Sequence, residues 1–167
     1  KLIHFDLKET NIAVLPSGQM KLIDFGFTCM MNDELHKYTP IIICNYEYWP
    51  IEYAVYMADQ FNMNLTIDTI VQYRESIFPV QNRDELIKYL QEFNKLKSKT
   101  QADLIKKHFD LWSIGVILFK MLHLTVPLPI HIKLTAFVDR LLNNDITKRP
   151  NASETLSAYD ECIRSLR

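Results

Sequence analysis

The chain has 167 residues, 48% of them hydrophobic, enough for one ordinary domain with a real core. Lys and Arg total 19 against 20 Asp and Glu, a net charge of −1. That balance offers no whole-chain field for steering toward nucleic acid or an anionic membrane, and neither is expected as a partner. Cys29, Cys44 and Cys162 are widely spaced, with no second Cys or His at ligand spacing. They suggest neither a disulfide framework nor a zinc site, and fit an intracellular, reducing compartment.

The chain begins at Lys1 with neither an initiator Met nor a signal-peptide pattern, and is expected to be a fragment. Asn11 to Leu15 and Met20 to Ile23 are short apolar runs separated by Pro16-Ser17-Gly18-Gln19, a turn former, and predict a β-hairpin. From Phe27 to Tyr48 no period persists, and polar residues mix with the patch Ile41-Ile42-Ile43. This stretch reads as a long ordered loop, of the kind that is often functional.

After Pro50 the character turns helical. Ile51, Ala54, Met57, Ala58 and Phe61 recur at spacings of three and four, and Ile67, Ile70, Val71 and Ile77 do so again before Pro79. Asn82 with Glu85 has capping-box spacing, and Leu86, Leu90 and Phe93 share one face, predicting a helix from Arg83 to about Lys97. Residues 98–107 are polar and charged. Asp110 to Leu122 is apolar nearly all round, the mark of a helix enclosed on every side, and the run from Leu111 to Leu124 falls short of the roughly 20 residues needed to cross a bilayer. Leu134, Phe137, Val138, Leu141 and Leu142 form another stripe. Asn151 with Glu154 repeats the capping spacing before Leu156, Tyr159, Ile163 and Leu166. The expected class is α+β, mostly α, with the strands at the front and a helical bundle around a buried central helix.

Four polar groups stand out in the opening segment, His4, Asp6, Lys8 and Asn11, followed just past the hairpin by Asp24-Phe25-Gly26. This resembles the protein kinase family, whose catalytic loop reads H-R-D-L-x-x-x-N and whose metal-binding motif reads D-F-G. Three further matches come in the right order. Pro50-Ile51-Glu52 resembles A-P-E, Asp110-Leu111-Trp112-Ser113-Ile114-Gly115 resembles D-x-W-S-x-G, and Lys148-Arg149-Pro150 resembles the K-R-P before the last helix. The resemblance covers the C-terminal lobe.

It implies that Asp6 accepts the proton of a substrate hydroxyl and that Lys8 brings positive charge to the same phosphoryl group. It also implies that Asn11 and Asp24 supply hard oxygens for Mg²⁺ and bind the ATP cofactor. His4 is implied to be structural, packing on the motif phenylalanine. Lys8 sits where serine/threonine kinases carry Lys, so the expected activity is that of a protein serine/threonine kinase. Its expected partners are ATP and a protein substrate, and its expected location is cytoplasmic.

The resemblance also has departures. Three scattered glycines leave no G-x-G-x-x-G loop, and no V-A-I-K strand is present, so the N-terminal lobe needed for ATP binding is expected to lie upstream, to be supplied by another chain, or to be absent. Phe5 replaces the Arg that pairs with a phosphorylated activation loop, so neither Thr28 nor Thr39 is expected to act as a switch. The 57 residues between Glu52 and Asp110 exceed the family spacing and imply a helical insertion at about 53–108, while Thr125 to Lys133 is short. The pattern with H-F-D also resembles divergent kinases of large DNA viruses, which would place it in the host-cell cytoplasm. A pseudokinase or scaffold lobe that binds a partner without transfer is the alternative, and a small-molecule kinase of related fold a weaker third. Glu52 and Arg149 are expected to form a bidentate salt bridge.

Overall fold

The computed structural model describes residues 1–35, 46–80, 82–122 and 128–164. Thr39, the Ile41-Ile42-Ile43 patch, Cys44 and Leu166 lie outside these described residues. The hairpin forms as the turn residues predict. Strands β2 (Ile12–Val14) and β3 (Met20–Leu22) pair antiparallel, with Ile12 opposite Leu22 and Val14 opposite Met20. Gly18 takes φ 80°, a left-handed value open to glycine without strain. Its N–H donates to the Leu15 carbonyl at 2.8 Å.

A second pair was not foreseen: β1 (Leu2–Ile3) joins β4 (Cys29–Met30) antiparallel, which ties the chain start to the segment after Asp24-Phe25-Gly26. Two residues are too few to show a period, so neither strand leaves a pattern to read.

The rest is helical. Helix α1 (Ile51–Gln60) starts immediately after Pro50, whose fixed φ suits a helix entrance. Helix α2 (Ile67–Ile77) is capped by the Thr66 hydroxyl, which accepts from Thr69 N at 3.1 Å. Helix α3 (Arg83–Asn94) is capped as predicted, Asn82 Oδ1 accepting from Glu85 N at 3.1 Å, and it ends three residues short of Lys97.

The polar stretch 98–107 is the start of α4 (Ser98–Leu122), one continuous 25-residue helix. Two of its buried polar side chains there are partnered by main-chain carbonyls. Gln101 Nε2 donates to the Phe93 carbonyl at 3.0 Å, and Lys106 Nζ donates to the carbonyls of Met31 at 2.9 Å and Asp33 at 3.0 Å. Helices α5 (Leu128–Leu141) and α6 (Ala152–Arg164) complete the fold. The predicted capping box closes: Asn151 N donates to Glu154 Oε2 at 2.8 Å, and Asn151 Oδ1 accepts from Glu154 N at 3.1 Å.

The expected stripe on α6 is not its buried face. Leu156 and Tyr159 are exposed and Thr155 is buried. The core is organised on α4, which touches α1, α5, α6 and β1, with Trp112 and Val116 wholly buried. At Gly115 the helices approach so closely that an added Cβ would meet Leu142 Cδ2 at 2.8 Å and Leu141 Cβ at 2.9 Å.

Candidate active site

The candidate catalytic loop, residues 4–11, is held by α4. The Asp110 carboxylate accepts from His4 N at 2.7 Å and from Phe5 N at 3.0 Å. Burial raises the Asp110 pKa, and the two backbone N–H groups work against that rise. Both bonds fix the chain where it is least relaxed, because Phe5 has φ 64°, a costly value for a bulky residue. The Phe5 ring turns inward, 4.5 Å from the Phe109 ring and 6.3 Å from that of Tyr53. It is buried where the family pattern has a charged residue.

Asp6, Lys8 and Asn11 converge. Lys8 Nζ donates to Asp6 Oδ2 at 2.8 Å, and Asn11 Nδ2 donates both to that oxygen at 2.9 Å and to the Asp6 carbonyl at 2.8 Å. Asn11 closes the short turn Glu9–Asn11, and its own carbonyl accepts from Ile23 N at 3.0 Å. The hairpin thereby returns the chain to put Asp24 near Asn11. Asp24 is exposed, at φ 60°, a conformation that aspartate tolerates better than most residues. Its Oδ1 accepts from Gly26 N at 3.3 Å. Among the described residues no side-chain bond joins Asp24 to Asp6, Lys8 or Asn11.

His4 is structural, as expected. Its ring lies 5.0 Å from that of Phe25, Nδ1 accepts from Asp6 N at 3.4 Å, and Nε2 faces the Ile23 carbonyl at 3.2 Å. Cys29 is inert, since burial pushes its thiol up to about 11.

Sequence reasoning missed a second polar group beside the loop. The Tyr48 hydroxyl donates to Glu9, while Lys120 Nζ reaches Glu47 at 2.7 Å and the Tyr48 hydroxyl at 2.6 Å. Burial and the Glu9 acceptor push the Tyr48 phenol up to about 12. The only sequence signal was Glu9, next to Lys8. Lys120 falls within the largely apolar run from Leu111 to Leu124. Ser113, on the same helix, donates to the Tyr48 carbonyl at 2.9 Å.

The family described as protein kinase domain matches residues 1–159. The chain belongs to the protein kinase family. No curated protein and no solved structure matches it. Its mostly helical fold, with a short hairpin and a buried central helix, is that of a kinase C-terminal lobe.

Within this kinase lobe the expected ion pair between Glu52 and Arg149 is present and wholly buried, at 0% and 1% side-chain exposure. Its geometry differs from a two-nitrogen fork. Arg149 Nη2 alone spans both carboxylate oxygens, at 2.8 and 3.0 Å. Nε donates to the Asn143 carbonyl at 2.7 Å, and Nη1 is buried without a partner. Tyr89, from α3, adds a bond from its hydroxyl to Glu52 Oε1 at 2.8 Å and accepts from Ile146 N at 2.9 Å. The Arg149 guanidinium also lies 4.3 Å from the Trp112 ring centre.

Proposed function

We propose that this lobe belongs to a protein serine/threonine kinase, in which Asp6 and Lys8 are catalytic and Asn11 and Asp24 hold Mg²⁺ and ATP. The observation that carries the reading is the convergence on one carboxylate: Lys8 and Asn11 both bond Asp6 Oδ2, which orients the group and leaves Oδ1 for an incoming hydroxyl. Phosphoryl transfer asks a protein mainly to position and to neutralise charge. Asp6 orients the hydroxyl and takes its proton as that oxygen bonds the γ-phosphorus of ATP and the bond from the γ-phosphorus to the bridging oxygen breaks, releasing ADP. Lys8, 2.8 Å from Asp6, supplies positive charge beside the transferring group.

The donor set fits Mg²⁺. Asn11 spends its Nδ2 on Asp6, which leaves Oδ1 to face a cation, and Asp24 keeps Oδ2 free while Oδ1 caps Gly26. Among the described residues no three His, Cys, Asp or Glu form a metal cage. Mg²⁺ requires none, since it is held by one or two protein oxygens together with substrate phosphates. When bound, it neutralises charge on the phosphates.

The lobe that covers the nucleotide is read as upstream of Lys1 or on another chain. Leu2, Val14, Met20, Leu22, Ile23 and Phe25 are all exposed on the hairpin and its neighbours, apolar surface of the kind that marks an interface. Helices α2 and α3 are read as the insertion. No described helix is long and apolar enough to cross a membrane.

The alternative, a scaffold lobe without transfer, draws on the buried Phe5 and on α2 and α3 as docking surface. The retained Asp6, Lys8, Asn11 and Asp24 weigh against it. The test is transfer of labelled phosphate from Mg-ATP to generic Ser, Thr and Tyr substrates by the protein with its nucleotide-covering lobe. Label on Ser or Thr that falls by orders of magnitude in Asp6→Asn supports the assignment. Label equal in both proteins, or none in either, defeats it.

A further inference from the structure

Away from the catalytic loop, between α2, α3 and the segment that follows α5, lies a cavity of about 600 Å³, within the range of small-ligand sites. Its charged lining is Arg74, Lys148, Glu85, Asp139 and Asp145. Lys148 and Asp145 are 3.5 Å apart and offset each other. The remaining three do not. Among the described residues none of Arg74, Glu85 and Asp139 has an ion-pair partner.

Arg74 is the deep one, 7% exposed, while Glu85 and Asp139 stand exposed at the mouth. The Arg74 guanidinium lies 4.1 Å from the Phe78 ring centre and 4.4 Å from that of Trp112, and its Nε is buried with no hydrogen-bond partner. The nearby carboxylate of Glu52 is taken by Arg149 and Tyr89, so two buried guanidiniums share one buried anion. Burial, and then the charge of Arg149, pull the Arg74 pKa down to about 9. Stacking on aromatic rings recovers only part of what desolvating a cation costs. A deep unpaired cation under an acidic mouth is complementary to a molecule with a negative end and a positive end.

We propose that this cavity binds a small zwitterionic ligand, its carboxylate seated on Arg74 and its ammonium held at the mouth by Glu85 and Asp139. A guanidinium matches a carboxylate in shape and charge. Asn82, Asn143 and Asn144, also in the lining, add hydrogen-bonding groups between the two ends. Phosphate is disfavoured because its second charge would face the acidic mouth without compensation.

The test is ligand-observed NMR titration of the 167-residue chain with ω-amino acids from 4-aminobutanoate to 8-aminooctanoate, the matching alkanoates, the matching dicarboxylates and inorganic phosphate. The expected result is that at least one ω-amino acid binds about tenfold tighter than its alkanoate and that Arg74→Met abolishes the binding. Glu85→Lys changes an exposed residue and leaves folding intact; it should shift the preference toward dicarboxylates. Equal binding of amino acid and alkanoate, no binding of any probe, tighter binding of phosphate, or an unchanged preference in Glu85→Lys would each overturn the proposal.

Discussion

The Asp110 carboxylate and the Phe5 amide are 105 residues apart in sequence and 3.0 Å apart in space. Asp110 Oδ1 takes the N–H of a residue whose φ is positive, and Oδ2 takes the N–H of His4, so one side chain of α4 fixes the entrance to the candidate catalytic loop. Asp110→Asn keeps one acceptor oxygen and strands one backbone donor. It should cost about 1–3 kcal/mol in urea denaturation and loosen the loop that carries Asp6.

Restoring the family's basic residue should do harm here. Phe5 is 4% exposed and packed on Phe109 and Tyr53. Phe5→Arg would bury a guanidinium against the Phe109 and Tyr53 rings and should cost ~3 kcal/mol or more, whereas Phe5→Leu should cost ~1–2 kcal/mol. Equal stabilities by chemical denaturation would contradict the inward packing of the ring.

For the buried pair, Glu52→Ala and Arg149→Ala should each destabilise by ~3–5 kcal/mol, and the double variant by less than their sum. Arg149→Lys should fall between: a lysine ammonium can lie between both oxygens, but it loses the bond to the Asn143 carbonyl and the stacking on Trp112. Thermal or urea unfolding of the four proteins gives the comparison.

His108 makes stability depend on pH. Burial, and then the charges of Arg149 and Lys107, lower its pKa from 6.5 to about 4 against the opposing pull of the Pro150 carbonyl and Glu154. Between those values the unfolded chain binds the proton and the folded chain does not. Stability from this group is therefore fully present above pH 6.5 and is lost as pH falls toward 4, by roughly 2–3 kcal/mol. His108→Gln should flatten that part of the stability profile measured by urea midpoints, and an unchanged slope would remove His108 as its source.

Much of this fold was legible because local rules and packing agreed. Pro16-Ser17-Gly18-Gln19 made its turn, Asn82 and Asn151 capped their helices, and the all-round apolar character around Trp112 marked the central helix. The candidate catalytic residues were legible as a spacing, and Asp6, Lys8 and Asn11 do share one hydrogen-bonded cluster. What escaped was polar and long-range. Residues 98–107 look like a solvated linker, yet Gln101 and Lys106 are buried because main-chain carbonyls on distant segments receive their protons. Tyr89 and Arg74 carry no pattern that distinguishes an inward polar residue from a solvated one. The β1–β4 pair is too short for any periodic signature.

Helix α4, roughly 37 Å long at 1.5 Å per residue, places Lys106, Asp110 and Ser113 at i, i+4 and i+7, one face over two turns. Each side chain grips a different stretch of backbone: Lys106 the carbonyls of Met31 and Asp33, Asp110 the amides of His4 and Phe5, and Ser113 the carbonyl of Tyr48. The helix thus works like a shaft with three keys. Displacing it by one turn would free all three stretches together. In hydrogen exchange they should open as one cooperative unit with α4, and the geometry around Asp6 should persist or vanish as a whole.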